Sequence, residues 1–203
     1  RGRERTREFT ILRRNDGSAD SSDQKFYVFF HAPSDVAKTV FIVHKKARGD
    51  DDRWLYLPAM DLVKRIAASD KRTSFVGSDF FYEDISGRSV DEDNHELVRT
   101  TKSYYVLKHT PKKASSVEFS HYEMYIHRGT FLPTKVEYYN RKGKKYRVMT
   151  VDAVAKFQGL PTVTRATMKD LLSGSKTTIE FSKVKYDLGL PERLFSERYL
   201  RRP

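Results

Sequence analysis

From residue 5 to residue 186 the chain is cut into short runs rich in Val, Ile, Phe, Tyr and Thr, most of them closed by Gly, Pro, Asn or Asp. Roughly ten such runs at close spacing, with few helical intervals, predict an antiparallel sandwich or barrel. They cover residues 5–12, 25–31, 39–44, 53–57, 62–66, 103–109, 119–127, 134–139, 144–151, 160–168 and 177–186. Asn15-Asp16-Gly17-Ser18 and Arg141-Lys142-Gly143 carry turn chemistry. Pro58 stops the run before it. Leu171-Leu172-Ser173-Gly174 fits a hairpin turn or a single helical turn.

Two places break the pattern. Residues 74–85 crowd Phe75, Val76, Phe80, Phe81 and Tyr82 into a connector, with Ser78-Asp79 offering a helix cap. This reads as a short helix or irregular plug, and a sheet curled around it is the expected fold. Residues 91–96 read as an acidic loop. Leu190-Pro191-Glu192 starts a short terminal helix, with Pro in its first turn. The run 25–31 is apolar on both faces, so its Phe26 and Phe30 are expected to meet core on one side and a ligand or lid on the other.

The chain has 203 residues, which fits a single domain over 1–203. Aromatics make up 13% of it, enough for a sizeable core beside 33% charged residues. A net charge of +12 favours anionic partners: nucleic acid, phospholipid headgroups or an acidic protein surface. The absence of Cys excludes disulfides and thiol chemistry. No apolar run reaches the length of a membrane-spanning helix. Because the chain begins at Arg1 without Met, a leader or N-terminal element is expected to have been removed.

Motifs for chemistry are weak. Residues 119–127 put His121, Glu123, Tyr125 and His127 on one strand face, but the two histidines stand roughly 20 Å apart at ~3.3 Å per residue. They cannot share an ion, so a polar outer row is the better account and no metal is expected. Asp50-Asp51-Asp52 and Asp91-Glu92-Asp93 lack the spacing of a calcium loop. A nucleophile elbow, a phosphate loop and a dinucleotide fingerprint are absent. Asp79, Glu83 and Asp84 could supply paired carboxylates but sit together without other catalytic signals. No catalytic residue and no cofactor are expected.

Basic residues near aromatics, in residues 1–14 and in Arg141-Lys142-Gly143-Lys144-Lys145, keep a nucleic-acid-binding β-protein as the alternative. The aromatic excess is more telling. Trp54, Tyr56, Phe75, Phe80, Phe81 and Tyr82 converge on one strand-to-plug junction, and an apolar cavity with few polar anchors is the usual form of a ligand site.

Arg53-Trp54-Leu55-Tyr56-Leu57-Pro58, Arg65-Ile66, Ser74-Phe75-Val76-Gly77-Ser78-Asp79-Phe80 and Tyr82-Glu83-Asp84 resemble the signature of the LolA-like family of outer-membrane lipoprotein-sorting proteins, over nearly the whole chain. The resemblance implies an open, incomplete antiparallel β-barrel with short helices plugging or covering its concave side. It implies a non-enzymatic carrier in the periplasm that holds the acyl chains of a lipid or lipoprotein on the way to the outer membrane. It places Trp54, Tyr56, Phe75, Phe80, Phe81, Tyr82, Phe26 and Phe30 at the ligand. The partners it implies are those acyl chains, an inner-membrane transporter of the resistance-nodulation-division type and a transient membrane contact, without nucleic acid. The family's N-terminal helix precedes its first strand, whereas this chain starts almost in that strand, so the helix is expected to be missing or truncated.

Overall fold

In the computed structural model, which describes residues 4–16 and 23–201, the chain forms two open antiparallel sheets in simple meander order. The first contains β1 (Glu8–Asn15), β2 (Gln24–Ala32), β3 (Val40–Lys45), β4 (Asp52–Leu57) and β5 (Leu62–Arg65). The second contains β6 (Asp93–Thr100), β7 (Tyr104–Pro111), β8 (Phe119–His127), β9 (Pro133–Asn140), β10 (Lys145–Phe157), β11 (Leu160–Asp170) and β12 (Lys176–Glu180). The mainly β, open antiparallel architecture is the expected one, in two sheets where one continuous sheet was expected. The described residues fall into two compact units: those up to Lys71 with those from Gly189 on, and Arg72–Leu188.

In the first unit the alternation of apolar side chains sorts residues onto two faces. Tyr27, Ile42 and Trp54 stand side by side in register, as do Val40 and Tyr56. Two 3-10 turns, Glu192–Phe195 and Glu197–Leu200, cover this face and bury Phe195 and Leu200 completely. Arg14 Nη1 donates to the Leu190 carbonyl at 2.6 Å and Lys25 Nζ to Glu192 Oε1 at 2.5 Å, fixing the start of the cover. Phe26, Val28 and Phe30 lie on the opposite face with Phe41, Val43 and Leu55, also buried.

The second unit is the larger sheet with the 72–93 segment on one of its faces. The plug is mostly irregular, held by the Ser74–Phe81 bridge, and ends in α1 (Tyr82–Ser86). The expected cap at Ser78-Asp79 is displaced: the helix begins after Phe81, whose amide donates to Asp84 Oδ2 at 2.6 Å. Ser78 instead closes the preceding turn, its hydroxyl donating to the Phe75 carbonyl at 2.7 Å.

Three other expectations are corrected. Residues 91–96 are no loop, because Asp93 opens β6, an edge strand whose remaining residues are exposed. A strand with one neighbour and water on its other side tolerates charged residues that a central strand does not, and this hid it. The last strand stops at Glu180 instead of residue 186, and Lys183, three residues on, takes a left-handed φ of 55° incompatible with extended pairing. The terminal helix is a pair of 3-10 turns. The turn at Asn15-Asp16-Gly17-Ser18 is described only to Asp16, at the end of β1; Gly17 and Ser18 lie outside the described residues.

Because Phe195 sits fully buried against Trp54 and Ile42, Phe195→Ala is expected to destabilise the protein by about 3–5 kcal/mol in urea unfolding, whereas Phe131→Ala, at an exposed turn, changes it by less than about 0.5 kcal/mol.

Candidate functional site

The register of the larger sheet builds one feature that strand patterns alone do not show. Leu97, Leu107, Met124, Val136, Met149 and Met168 pair one with the next across β6, β7, β8, β9, β10 and β11. Five inter-strand steps of about 4.8 Å make this an apolar strip roughly 24 Å long. Tyr105 and Ile126 form a second row beside it, as do Val151, Ala166 and Ile179 further across. Three of the chain's four methionines lie in the strip, and thioether side chains refit readily around irregular apolar shapes. Leu97 is 56% exposed at one end, while Val136 and Met168 are buried. On the other face the same strands set Glu96, Lys108, Glu123, Glu137, Val148 and Lys169 next to each other, a row that is charged except at Val148.

Next to the strip, on the same face, the plug is fixed by buried charge. Arg72 donates to both oxygens of Glu118, at 2.7 and 2.8 Å, and to Glu83 at 2.6 Å. Arg88 clasps Asp93 with bonds of 2.8 and 2.9 Å and reaches Glu83 at 3.2 Å. Arg147, on β10, is bonded to Asp84 and donates to the Asp79 carbonyl at 2.7 Å. Its guanidinium lies 3.8 Å over the ring of Phe81, and that of Arg72 lies 4.7 Å over Phe119. Tyr122 and Tyr146 add hydroxyl donors to Asp93 at 2.9 Å and to Glu118 at 2.7 Å. Asp79 accepts from the hydroxyls of Ser175 and Thr177 beside β12.

The electrostatics follow from this packing. Burial alone raises the Glu118 carboxyl, but the Arg72 hydrogen bonds outweigh it and hold the group below its usual range. Burial opposes charge on Arg72 and Arg88 too, yet the carboxylates around them strengthen proton binding. Burial raises Tyr138 and, with Asp93 next to it, Tyr122. His109, stacked on Tyr122 at 4.4 Å, is pushed down to about 4 by burial and by His95, whose Nδ1 lies 2.7 Å from its own.

The residues expected at a ligand divide into three groups. Trp54 and Tyr56 share a face of the first sheet and pack with the C-terminal turns. Phe26 and Phe30 lie on the opposite face of that sheet. Phe75, Phe80, Phe81 and Tyr82 come together in the plug, with the rings of Phe75 and Tyr82 edge to face at 5.5 Å. Glu137 faces outward yet is buried, accepting from Lys145 at 2.7 Å and Tyr139 at 3.2 Å. His121 stacks on Tyr139 and His127 faces Thr130, so the two histidines of β8 have separate partners. Among the described residues, no group of three or more His, Asp or Glu is placed to hold a metal ion.

The strip and the arginine network were missed from sequence. Their members are spread from Arg72 to Met168 and meet only through register, which residue spacing does not reveal. The one available signal was the methionines, placed at strand positions in three separate runs.

A family model described only as that of an uncharacterized protein matches residues 22–202. A solved DUF1329 family protein from Desulfovibrio piger is 31% identical with a TM-score of 0.87, covering 96% of this chain and 83% of that one. A domain described as outer membrane lipoprotein-sorting from Vibrio parahaemolyticus is 28% identical with a TM-score of 0.82, covering 97% and 83%. A LolA superfamily protein from Nitrosomonas europaea, 21% identical over 94% and 89%, shares the fold with a TM-score of 0.64. No curated protein matches the chain.

Two predictions come from the network. Arg147→Met leaves Asp84 buried without its partner and is expected to cost about 3–5 kcal/mol in urea unfolding; adding Asp84→Asn recovers much of it, so the two changes are non-additive. His109 is neutral when folded and has an ordinary value of 6.5 when unfolded, so the unfolded chain gains its proton first as pH falls. Its contribution is full above pH 6.5 and is lost towards pH 4, giving a loss of about 2 kcal/mol between pH 7 and 5 that a His109→Gln protein does not show.

Proposed function

We propose, from the premise that the chain belongs to the DUF1329 family and has the LolA-like fold, that it is a non-enzymatic carrier holding acyl chains of a lipid or lipoprotein along the apolar strip of its larger sheet. The observation that carries this reading is the in-register row from Leu97 to Met168. A row of aliphatic and thioether side chains with no polar atom across six strands has nothing to offer a polar ligand. It matches a hydrocarbon chain, each buried CH2 of which is worth about 0.8 kcal/mol. The description of the Vibrio relative as a lipoprotein-sorting domain supports the same class of cargo. Phe75, Phe80 and Tyr82 are proposed as the apolar underside of the plug towards this cargo, whereas the packing of Trp54 and Tyr56 with Phe195 favours a structural role for them.

Carriage of this kind belongs in the periplasm, between an inner-membrane donor, a transporter of the resistance-nodulation-division type, and the outer membrane. No helix among the described residues is long and apolar enough to cross a membrane. Transfer needs only a difference in affinity between donor, carrier and acceptor, so no catalytic constellation is required. The buried carboxylates near the strip are consumed by arginines, and this argues against their use as acid and base.

The reading is tested by titrating the protein with a soluble fluorescent fatty acid. Met124→Asp puts a carboxylate in the strip, where it loses hydration without gaining a partner, and is expected to weaken binding at least about tenfold. Glu123→Gln, its neighbour on the outer face, leaves binding unchanged. A folded Met124→Asp protein that binds normally overturns the assignment.

A further inference from the structure

The basic run Arg141-Lys142-Gly143-Lys144-Lys145 has no part in the carrier site. It lies in the β9–β10 connection, and the meander places the β7–β8 and β11–β12 connections at the same end of the sheet. Successive connections of this kind stand about 10 Å apart, two strand spacings. The first two are tied together, since Arg141 Nη2 donates to the Ala114 carbonyl at 3.1 Å. The third is tied to the start of β10, where the Leu171 amide donates to the Tyr146 carbonyl at 2.8 Å.

This end carries Lys112, Lys113, Arg141, Lys142, Lys144 and Lys176, all exposed. None of them has a carboxylate partner among the described residues, in contrast to Lys135 and Lys145, which share Glu137. Of the acids at this end Asp91, before β6, is exposed, while two others are turned to internal work. Asp170 accepts from the amides of Leu172 and Ser173 at 2.7 and 3.1 Å, and Glu118 is taken by Arg72 and Tyr146. Between the cations the turn after β11 holds up two leucines, Leu171 at 48% and Leu172 at 67% exposed. Asp170 fixes their backbone, so they are presented in a set geometry and do not fold back on the protein.

We infer that this end of the larger sheet docks on the surface of an anionic lipid bilayer, the lysines and Arg141 meeting headgroup phosphates and Leu171 and Leu172 entering the acyl boundary. Clustered cations beside protruding aliphatic side chains are the chemistry of interfacial membrane binding. Nucleic acid would reward the cations equally, but it binds rings by stacking, and a bare leucine pair gives it nothing. The inference rests on the carrier reading for its purpose and adds to it the surface by which the carrier would approach a membrane.

The test is flotation of the protein with phosphatidylglycerol–phosphatidylcholine vesicles against phosphatidylcholine alone. Binding is expected to the anionic vesicles, to fall steeply with salt, and to drop about fivefold for each of Lys113→Gln, Lys142→Gln and Lys144→Gln. Leu171→Ser with Leu172→Ser is expected to lose about tenfold more. Lys102→Gln with Lys156→Gln, at the opposite end of the sheet, leaves binding unchanged. All these residues are exposed, and unchanged thermal unfolding verifies that the variants fold. Equal binding to neutral vesicles, equal loss from the opposite-end pair, or displacement by an oligonucleotide with no effect of the leucine changes overturns the inference. Met124→Asp separates the two readings: if it abolishes fatty-acid binding and keeps flotation, docking is independent of the strip, and if it abolishes flotation, the vesicle contact belonged to the strip and the docking surface is wrong.

Discussion

Arg72, Arg88 and Arg147 lie almost wholly out of water against the face of a β-sheet, and an ion in such a place costs several kcal/mol unless other groups replace its hydration. The replacement comes from two directions. The sheet side contributes Glu118, which Tyr146 also bonds, and the plug side contributes Glu83, Asp84, Glu92, the Asp79 carbonyl and, through β6, Asp93, which Tyr122 also bonds. These bonds tie the plug to the sheet at several points at once. Rings finish the job: Phe81 and Phe119 lie against the guanidinium faces that hydrogen bonds leave uncovered. The plug is thereby confined to one region of the face, and the apolar strip beside it is left to other contacts.

How far this could be read from the sequence depends on the range of each interaction. Period-two alternation is local, and β8 was legible because Tyr122, Met124 and Ile126 alternate with His121, Glu123 and His127; the pattern breaks only at Phe119 and Ser120, where the register shifts. Edge strands lose that signal. In β6 water solvates one side, so Asn94, His95 and Glu96 are tolerated where a central strand would need apolar groups. Positive φ at Lys183 is a backbone property with no side-chain marker, and the shortening of β12 was therefore invisible. The aromatic excess near Trp54 was real, but alternation alone could not say which face each ring takes. Pairing of Ile42 with Trp54 and of Phe41 with Leu55 decides it, and it puts Trp54 and Phe30 on opposite sides of one sheet.

The strip shows the same limit from the other side. Leu107, Met124, Val136, Met149 and Met168 look like ordinary core residues one strand at a time. They become a surface only once the register aligns them, and a slip of one residue on β7, β8 or β9 would replace its member of the row with Lys108, Glu123 or Glu137. Register is held here by that penalty: the outward row is charged, and turning it inward would bury ions without partners. The same charged row that looks like plain surface thus specifies the apolar row behind it.

Two materials of different stiffness meet on this one face. At the plug end, charge-assisted hydrogen bonds from planar guanidinium groups fix angles as well as distances, and they tolerate little displacement. Along the strip, methionine side chains change rotamer at low cost and present the same polarizable surface in each. A carrier of the kind proposed would have to accept cargo whose hydrocarbon length and branching vary and also release it. Rigid walls throughout would select one chain length, while compliant walls throughout would leave the sheet without a fixed floor. Placing the stiffness in a buried ionic cluster and the compliance in the adjoining thioether row meets both demands, because changes of shape along the row need not be transmitted to the arginines that hold the plug.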